Sequence, residues 1–517
     1  MENALRNGFA KLDKQMVFVG KDILELLSSS MYVNPLTIYR EYVQNAVDSI
    51  DEAVSAGYLT SSDSGEIEIN LDQSNRRITI RDNGFGVPND EFRQRMLSFG
   101  GSSKRNSGAR GFRGVGRLSG LGYVQQLVFR SRAEGDEHVL EAVWDGHSVK
   151  QSLLKADLDN DLCDVVQQAV RITTVESQDY PARFFEVELI KPRRIANDIL
   201  MNESEIECYL EQTCPCCFSP GFKHGPEIDN LLSTLGRAGQ NYKISFNGSD
   251  SPIYRPYRDT VRYSESRVAS IGKLRTFEIK GIDDEIAAIG WFTHHEYQGA
   301  IPSSVGVRGL RARIGNIQIG DERVFSSVFP EERFCSWTIG EVHVLDSRVV
   351  PNGRRDAFEA NIHLDNITTH LRPIVSEIAR ECRSSSLRRN RRKAFHLREE
   401  RVKEKLEIIR QGAISGHYED GMRIEIDSLM VEMQKVVESE MFDNVETANL
   451  KNRYDDIEAQ VNTLIPDTNL VVFDSLPKRH QKLYRDIFDL IYDCSANKVG
   501  IIYLSHNPLS SKRLQFV

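Results

Sequence analysis

Around residues 40–54 the apolar positions recur at helical spacing. Val43, Ala46, Val47, Ile50 and Val54 gather on one side when each residue advances the helix by about 100°. Glu41, Asn45 and Asp48 fall within about 60° of one another on the other side. Pro35 suits a first turn and Gly57 a position just past the end. The spacing therefore predicts an amphipathic helix whose polar side carries two carboxylates and a carboxamide. On its own such a stripe is what any solvated helix face looks like.

The pattern then changes period. Residues 66–71 (EIEINL) and 77–81 (RITIR) alternate apolar and polar, as half-buried strands do, with DQSN as the turn between them. A glycine-broken loop, DNGFGVP, follows. Residues 98–122 (SFGGSSKRNSGARGFRGVGRLSGLG) are rich in glycine, serine and basic residues. Strand-like text returns at 123–131, 137–144 and 184–190, which completes an α/β layered unit. A second unit is expected from about residue 205, with strands at 242–246, 274–282, 285–293, 307–320 and 340–346. From about 366 to 464 long charged stretches have helical spacing, broken near Gly412, Gly416 and Gly421. Leu406, Ile409, Ile426, Leu429, Met430, Met433 and Val437 could form a coiled-coil seam there. The remainder reads as a short α/β addition. The expected divisions are 1–204, 205–365, 366–464 and 465–517, an α+β chain overall.

Composition narrows the class. The chain has 517 residues, 40% of them hydrophobic and 27% charged, with a formal net charge of −9. These values fit a multidomain globular protein and argue against wholesale coating of nucleic acid. No apolar run approaches the ~18 residues of a membrane span, and the first residues lack the apolar core of a signal peptide, so a cytoplasmic location is expected. Cys208, Cys214, Cys216 and Cys217 crowd together. Without a second CxxC pair they read as small buried thiols rather than a zinc site.

Three features carry chemistry. Asp82 ends an alternating strand, where a pocket can open, and Gly84 and Gly86 let backbone pass close to a flat ligand. Gly111, Gly114 and Gly116 could offer successive backbone N–H groups to phosphates. No GK[ST] follows, so this is not a Walker loop, and no strand runs directly into it as a dinucleotide fingerprint requires. The third feature is the polar stripe of the first helix.

Taken in order, E-x3-N-x2-D on a helix, D-x-G-x-G after a strand and a glycine-rich lid resemble the GHKL ATPase superfamily. That group includes gyrase, the heat-shock protein 90 chaperones, histidine kinases and MutL. The resemblance covers roughly residues 15–200 and implies a Bergerat fold, with ATP and Mg2+ as cofactors. It implies that Glu41 is the general base for the attacking water and Asn45 the magnesium ligand. It implies that Asp82 reads adenine, with Gly84 and Gly86 lining the base. Gly111, Gly114 and Gly116 would cap the phosphates, and Lys104 would add charge. Asp48 would stand behind these as a supporting group. The family's Gly-Thr pair before a late strand is missing: Pro181, Ala182 and Arg183 stand there instead, and Thr173 and Thr174 come earlier.

The segment VVPNGRRDAFE at 349–359 resembles the middle-domain loop of the heat-shock protein 90 branch. That likeness implies that Arg355, with Arg354 as its rival, reaches the γ-phosphate as an always-charged fork. No histidine precedes residue 138, which argues against a histidine kinase. The expectation is a cytoplasmic ATP-hydrolysing clamp acting on protein clients, with a homodimer as its assembly. Two alternatives stand beside it. One is a DNA-acting ATPase of the MutL or chromatin type. It would use residues 383–405, where ten basic residues face three acidic ones, although a solvated helix face also explains that run. The other is a nucleotide-gated module of a bacterial defence system.

Overall fold

The computed structural model describes residues 34–98, 116–154, 162–412, 417–465 and 476–494. The chain divides into two compact units, residues 1–380 and 381–517.

The first unit opens with α1 (Thr37–Ser55). Asn34 starts it: its side-chain oxygen accepts from Leu36 N at 3.0 Å and its carbonyl from Thr37 N at 3.1 Å. At the other end Gly57 takes φ +80°, and Tyr58 N returns to Ala53 O at 2.9 Å, the six-to-one closure that a C′ glycine permits. Then come β1 (Glu66–Asp72), β2 (Arg77–Asp82), α2 (Asn89–Leu97), β3 (Gln126–Arg132), β4 (Val139–Asp145), α3 (Gly146–Leu154), α4 (Leu162–Ala169), β5 (Val170–Val175) and β6 (Phe184–Ile190).

After α5 (Glu203–Thr213), β7 (Cys217–Phe218) and α6 (Gly225–Ser233) the chain forms β8 (Lys243–Phe246). The first sheet runs β5-β4-β3-β6-β2-β1-β8. Residues 242–246, assigned from sequence to the second unit's strands, thus join the first sheet, with β8 parallel to β1. Short-range periodicity could identify the strand but not its partner, because a parallel pairing is made across the whole intervening chain.

One face of this sheet is apolar and packs on α1. Ile67, Ile69, Ile78, Ile80, Leu127 and Leu189 join Tyr39, Val43, Ala46, Val47 and Ile50 in one buried cluster. The other face is a charge ladder in register. Arg81 lies opposite Glu186 on the neighbouring strand, and Arg130 bonds Glu186 and Glu188 at 2.8 Å and Glu141 at 2.8 Å. Alternation of period two separates the two faces.

The second sheet uses β10 (Thr260–Ser264), β11 (Arg267–Lys280), β12 (Ile286–His295), β13 (Gly309–Ile314), β14 (Ile317–Ile319) and β15 (Ile339–Val344), in the order β10-β11-β12-β15-β13-β14; β9 (Tyr254–Arg255) pairs with β7. The single run expected at 307–320 is a hairpin, turned at Gly315 and Asn316, both at positive φ. Arg255, Arg313 and Glu341 are fully buried in the heart of this layer. Glu341 accepts from Arg255 at 2.7 Å and from Arg313 at 2.6 Å.

The helix α7 (Ile362–Arg410) contains the division at residue 380. In the second unit its later turns, α8 (His417–Val437) and α9 (Asn444–Leu464) share a core that includes Phe395, Val402, Leu406, Ile426, Met430, Met433, Leu450 and Ile457. Ile409, Leu429 and Val437 pack against it, so the expected seam residues are the core of an intramolecular helix packing. The break expected at Gly421 does not occur; α8 continues through it. The last described element is α10 (Lys478–Cys494); the strand text on either side of it lies outside the described residues. No described helix is long and apolar enough to cross a membrane.

Candidate active site

Glu41, Asn45 and Asp48 lie on α1, as the spacing predicts. Glu41 and Asp48 are buried and Asn45 is half-buried. The Asn45 carboxamide has no hydrogen-bond partner among the described residues. Asp82 closes β2 and is 3% exposed. Its Oδ1 accepts from Gly84 N at 2.9 Å, which sets the start of the DNGFGVP loop.

That loop is fastened on two sides. Phe85 N donates to Ser49 O at 2.9 Å and to Ser49 Oγ at 3.0 Å, one turn beyond Asn45. Val87 N donates to Ser131 Oγ at 2.7 Å on β3. Gly84 is pressed on the helix: a Cβ there would stand 2.3 Å from Ser49 Oγ. Gly86 takes φ +72°, and a Cβ would meet Arg132 O at 2.4 Å. Side chains are excluded at both glycines by backbone and helix, which fixes Asp82 beside the polar face of α1.

The glycine segment reaches the same place. Of its candidate residues only Gly116 is described; Lys104, Gly111 and Gly114 lie outside the described residues. A Cβ on Gly116 would sit 2.6 Å from Glu41 Oε2, so a side chain there would displace that carboxylate. Tyr42 holds the segment's end: its hydroxyl donates to Arg117 O at 3.1 Å and accepts from Gly120 N at 3.0 Å. Burial pushes this phenol well above its usual range. Burial also lowers the Arg117 guanidinium to about 10.

The 349–359 loop also converges on Glu41. Arg355 Nε lies 3.6 Å from Glu41 Oε1, and Arg355 Nη1 hydrogen-bonds Gln44 Oε1. Arg40 Nη2 is 3.4 Å from Glu41 Oε1 and 3.4 Å from the Arg354 carbonyl. Between the two expected arginines the geometry therefore differs: Arg355 brings its guanidinium, Arg354 its backbone. Arg355 is held at φ +56°, a left-handed conformation unusual for a residue with a side chain, and its carbonyl accepts from Gly320 N at 2.9 Å.

Sequence reasoning missed Arg40, Tyr42, Gln44 and Ser49. All four sit on α1 near the stripe, but their roles depend on what the loops bring, which no helical period can encode. The missing Gly-Thr pair has a structural answer. Thr173 and Thr174 lie on β5, with three strands between it and β2. Arg183 stands at the loop instead: Nη1 donates to Gly84 O and the guanidinium lies 5.5 Å from the Tyr58 ring centroid.

Residues 39–179 match the model of the family described as histidine kinase-, DNA gyrase B- and HSP90-like ATPase. Over this segment the chain is similar to that ATPase family. The chain is also similar over part of its length to relatives named chaperone protein HtpG. Those of Enterobacter sp. (strain 638), Rickettsia rickettsii and Coxiella burnetii are 30%, 31% and 30% identical over 145, 138 and 157 residues. These alignments cover 25%, 23% and 26% of this chain and 23%, 22% and 24% of those proteins. The chain thus spans about a quarter of the length of the curated relatives it matches.

The four crowded cysteines are free thiols. Cys214 and Cys216 are buried, and burial pushes the Cys214 thiol up to about 12. Among the described residues no group of three or more His, Cys, Asp and Glu side chains is placed to hold a metal ion.

Proposed function

We propose that this protein is a magnesium-dependent ATPase that works as a clamp on protein partners, with hydrolysis conditional on the 349–359 loop meeting α1. The observation that carries the reading is the convergence on Glu41 of Gly116 from the glycine segment and Arg355 from the loop. A carboxylate beneath a glycine and beside an arginine can do three things. It accepts a proton from water, leaves backbone room for phosphate, and places a fixed positive fork where negative charge develops.

The donor set fits the nucleotide and its metal. Asn45 has an unengaged hard oxygen and would hold magnesium. Magnesium when bound supplies charge that neutralises phosphate oxygens. Asp82, fixed by Gly84 N, accepts from an exocyclic amine. Glu41 orients and deprotonates the attacking water, and Arg355 stabilises charge on the transferring group. Because Arg40 and Arg355 both lie close to one oxygen of Glu41, loop docking also sets the carboxylate's electrostatic environment.

The clamp reading, with a homodimer in the cytoplasm as its setting, is supported by the HtpG-named relatives and by the loop's position. The DNA-acting alternative is less favoured by the ion pairs of the second unit. There Arg398 pairs with Glu432, Arg392 with Glu446, Lys403 with Glu399 and Lys405 with Glu425, so four of the ten basic residues are held in ion pairs within the unit. The deciding experiment is ATP turnover by the wild type, Glu41→Ala and Arg355→Ala, each with duplex DNA, with a reduced unfolded protein, or alone. The reading expects slow turnover, raised by the unfolded protein, indifferent to DNA and lost in both variants. Stimulation by DNA that collapses with salt would overturn the clamp.

A further inference from the structure

Arg255, Arg311 and Arg313 are all buried in the layer of the second sheet. Glu341 accepts from two of them, Arg255 and Arg313. Arg311 bonds neutral oxygens instead. Its Nη1 donates to Gln318 Oε1 at 2.8 Å, its Nη2 to Gln212 Oε1 at 3.0 Å and its Nε to Arg308 O at 3.2 Å. Burial pulls this guanidinium below its usual range. A buried charge is costly where only packing is wanted, because an apolar side chain fills the same space without it. What a guanidinium adds is a rigid fork that holds two amides at a fixed separation.

Those two amides lie on different elements, and each leads to the candidate active site. Gln212 is in the last turn of α5, and α5 packs on α1: Ile206 and Leu210 share the apolar cluster of Tyr39 and Val43. Arg313 holds the same turn, its Nη2 donating to Gln212 O at 3.0 Å. Gln318 is on β14, and its Nε2 donates to Gly320 O at 3.0 Å. Gly320 N in turn donates to Arg355 O at 2.9 Å. Gly320 takes φ +70°, and a Cβ there would stand 2.9 Å from Asp356 O, so a side chain would push the 349–359 loop away from the end of β14. Hydrogen bonds thus run without a gap from α5 through Arg311, Gln318 and Gly320 to Arg355, whose guanidinium faces Glu41 on α1. The circuit begins on the helix packed against α1 and ends at α1.

We propose that Arg311 is a positioning residue for ATP hydrolysis, fixing the Arg355 backbone to the end of α5 and so setting the place of the Arg355 guanidinium beside Glu41. The inference rests on the ATPase reading given above. Arg311 acts through Gln318 and Gly320, not on the reacting groups. The Gly320–Arg355 bond alone would place the arginine only relative to β14. The Arg311 fork refers it to α5, and through α5 to the helix that carries the base.

The test combines ATP turnover with site-resolved hydrogen exchange on the full chain, for the wild type, Gln318→Glu and Arg311→Lys. Gln318→Glu keeps an acceptor for Arg311 Nη1 but loses the donor to Gly320 O. Arg311→Lys has a single ammonium, which cannot span both glutamines. In both variants kcat falls about tenfold or more, the scale of a slightly misplaced group, while KM for ATP is unchanged. The Gly320 amide exchanges about tenfold faster, as a weakened hydrogen bond allows. Amides of β11 and β12 exchange as in the wild type, which shows that the sheet is folded; Gln318→Glu carries the test if Arg311→Lys does not fold. A kcat equal to wild type, a raised KM with kcat unchanged, or unaltered exchange at Gly320 would overturn the proposal. Failure of the wild type to turn over ATP would overturn the ATPase reading instead, and faster Gly320 exchange in the variants would then uphold the link between Arg311 and the loop.

Discussion

Arg355 and Glu41 stand 3.6 Å apart, Nε to Oε1. The Arg355 backbone conformation at φ +56° is strained and is held by the Gly320 N–H. Arg355→Ala is expected to lower kcat by about 10³ or more with little change in ATP affinity. Arg355→Lys should not rescue it, because an ammonium cannot reproduce the fork. The backbone gives a second readout. Arg355→Gly should melt at a higher temperature than Arg355→Ala by an amount worth about 1 kcal/mol, since glycine removes the left-handed penalty. Turnover equal to wild type in Arg355→Ala would refute the role.

Glu41 and Asp82 should separate cleanly. Glu41→Ala removes the base but leaves the Asp82 loop fastened to Ser49 and Ser131. It should bind ATP and lose turnover by at least about a hundredfold. Asp82→Asn presents a donor where an acceptor is needed and should lose binding itself. Isothermal titration on both variants checks this; equal loss of binding in the two would contradict the assignment.

Arg183 offers a third test. It stands where the family's threonine was expected and donates to the Gly84 carbonyl, with Glu134 Oε2 3.7 Å from its Nε. It acts on the base through the loop rather than directly. Arg183→Ala should raise KM for ATP roughly tenfold, as loss of a charged hydrogen bond would, while kcat stays near wild type. A fall in kcat with KM unchanged would place Arg183 elsewhere in the mechanism.

The pattern of what was legible follows from range. The period of α1, the alternation of β1 and β2 and the strand text of β6 are local, and each stands in the structure where its residues predict; of the glycine segment only Gly116 and the residues after it are described. The pairing of β8 with β1, the hairpin inside 307–320 and the packing of α7 through α9 depend on distant partners, and there the sequence supplied elements without neighbours. Within the site, Glu41, Asn45 and Asp48 could be named because helical spacing aligned them on one face, and Asp82 because it ends an alternating strand. Ser49, Gln44 and Tyr42 could not, since their importance comes from the loops that land on them. The Gly84 and Gly86 positions were legible because close approach of backbone leaves a residue-type signature.

Tyr42 links the helix to the glycine segment with one hydroxyl. Tyr42→Phe leaves Gly120 N and Arg117 O without their partner in a buried place. The cost should be about 1–3 kcal/mol, read as a lower unfolding midpoint in urea. If ATP orders the same segment, saturating nucleotide should restore part of that loss by mass action. A midpoint identical to wild type would mean that water or a neighbour replaces the hydroxyl.

His295 makes the pH dependence of the first unit predictable. Its Nε2 lies 2.8 Å from Trp337 O, a carbonyl that can only accept, so Nε2 carries the proton. Its Nδ1 accepts from Tyr297 N at 3.0 Å and faces the Tyr263 hydroxyl at 3.0 Å. A second proton on Nδ1 would break that arrangement. Burial, helped by His294 and opposed by the Trp337 carbonyl and Glu296, lowers the imidazole from 6.5 to about 4. The unfolded chain therefore takes up the proton first as pH falls. Stability from this residue is complete above about pH 6.5 and declines between 6.5 and 4, by roughly 3 kcal/mol at most from a shift of this size. His295→Gln keeps a donor and an acceptor but cannot titrate. Its unfolding midpoint should be lower at pH 7.5 yet change less between pH 7 and 4.5 than that of the wild type. Parallel curves for the two proteins would show that the acid sensitivity lies in other groups.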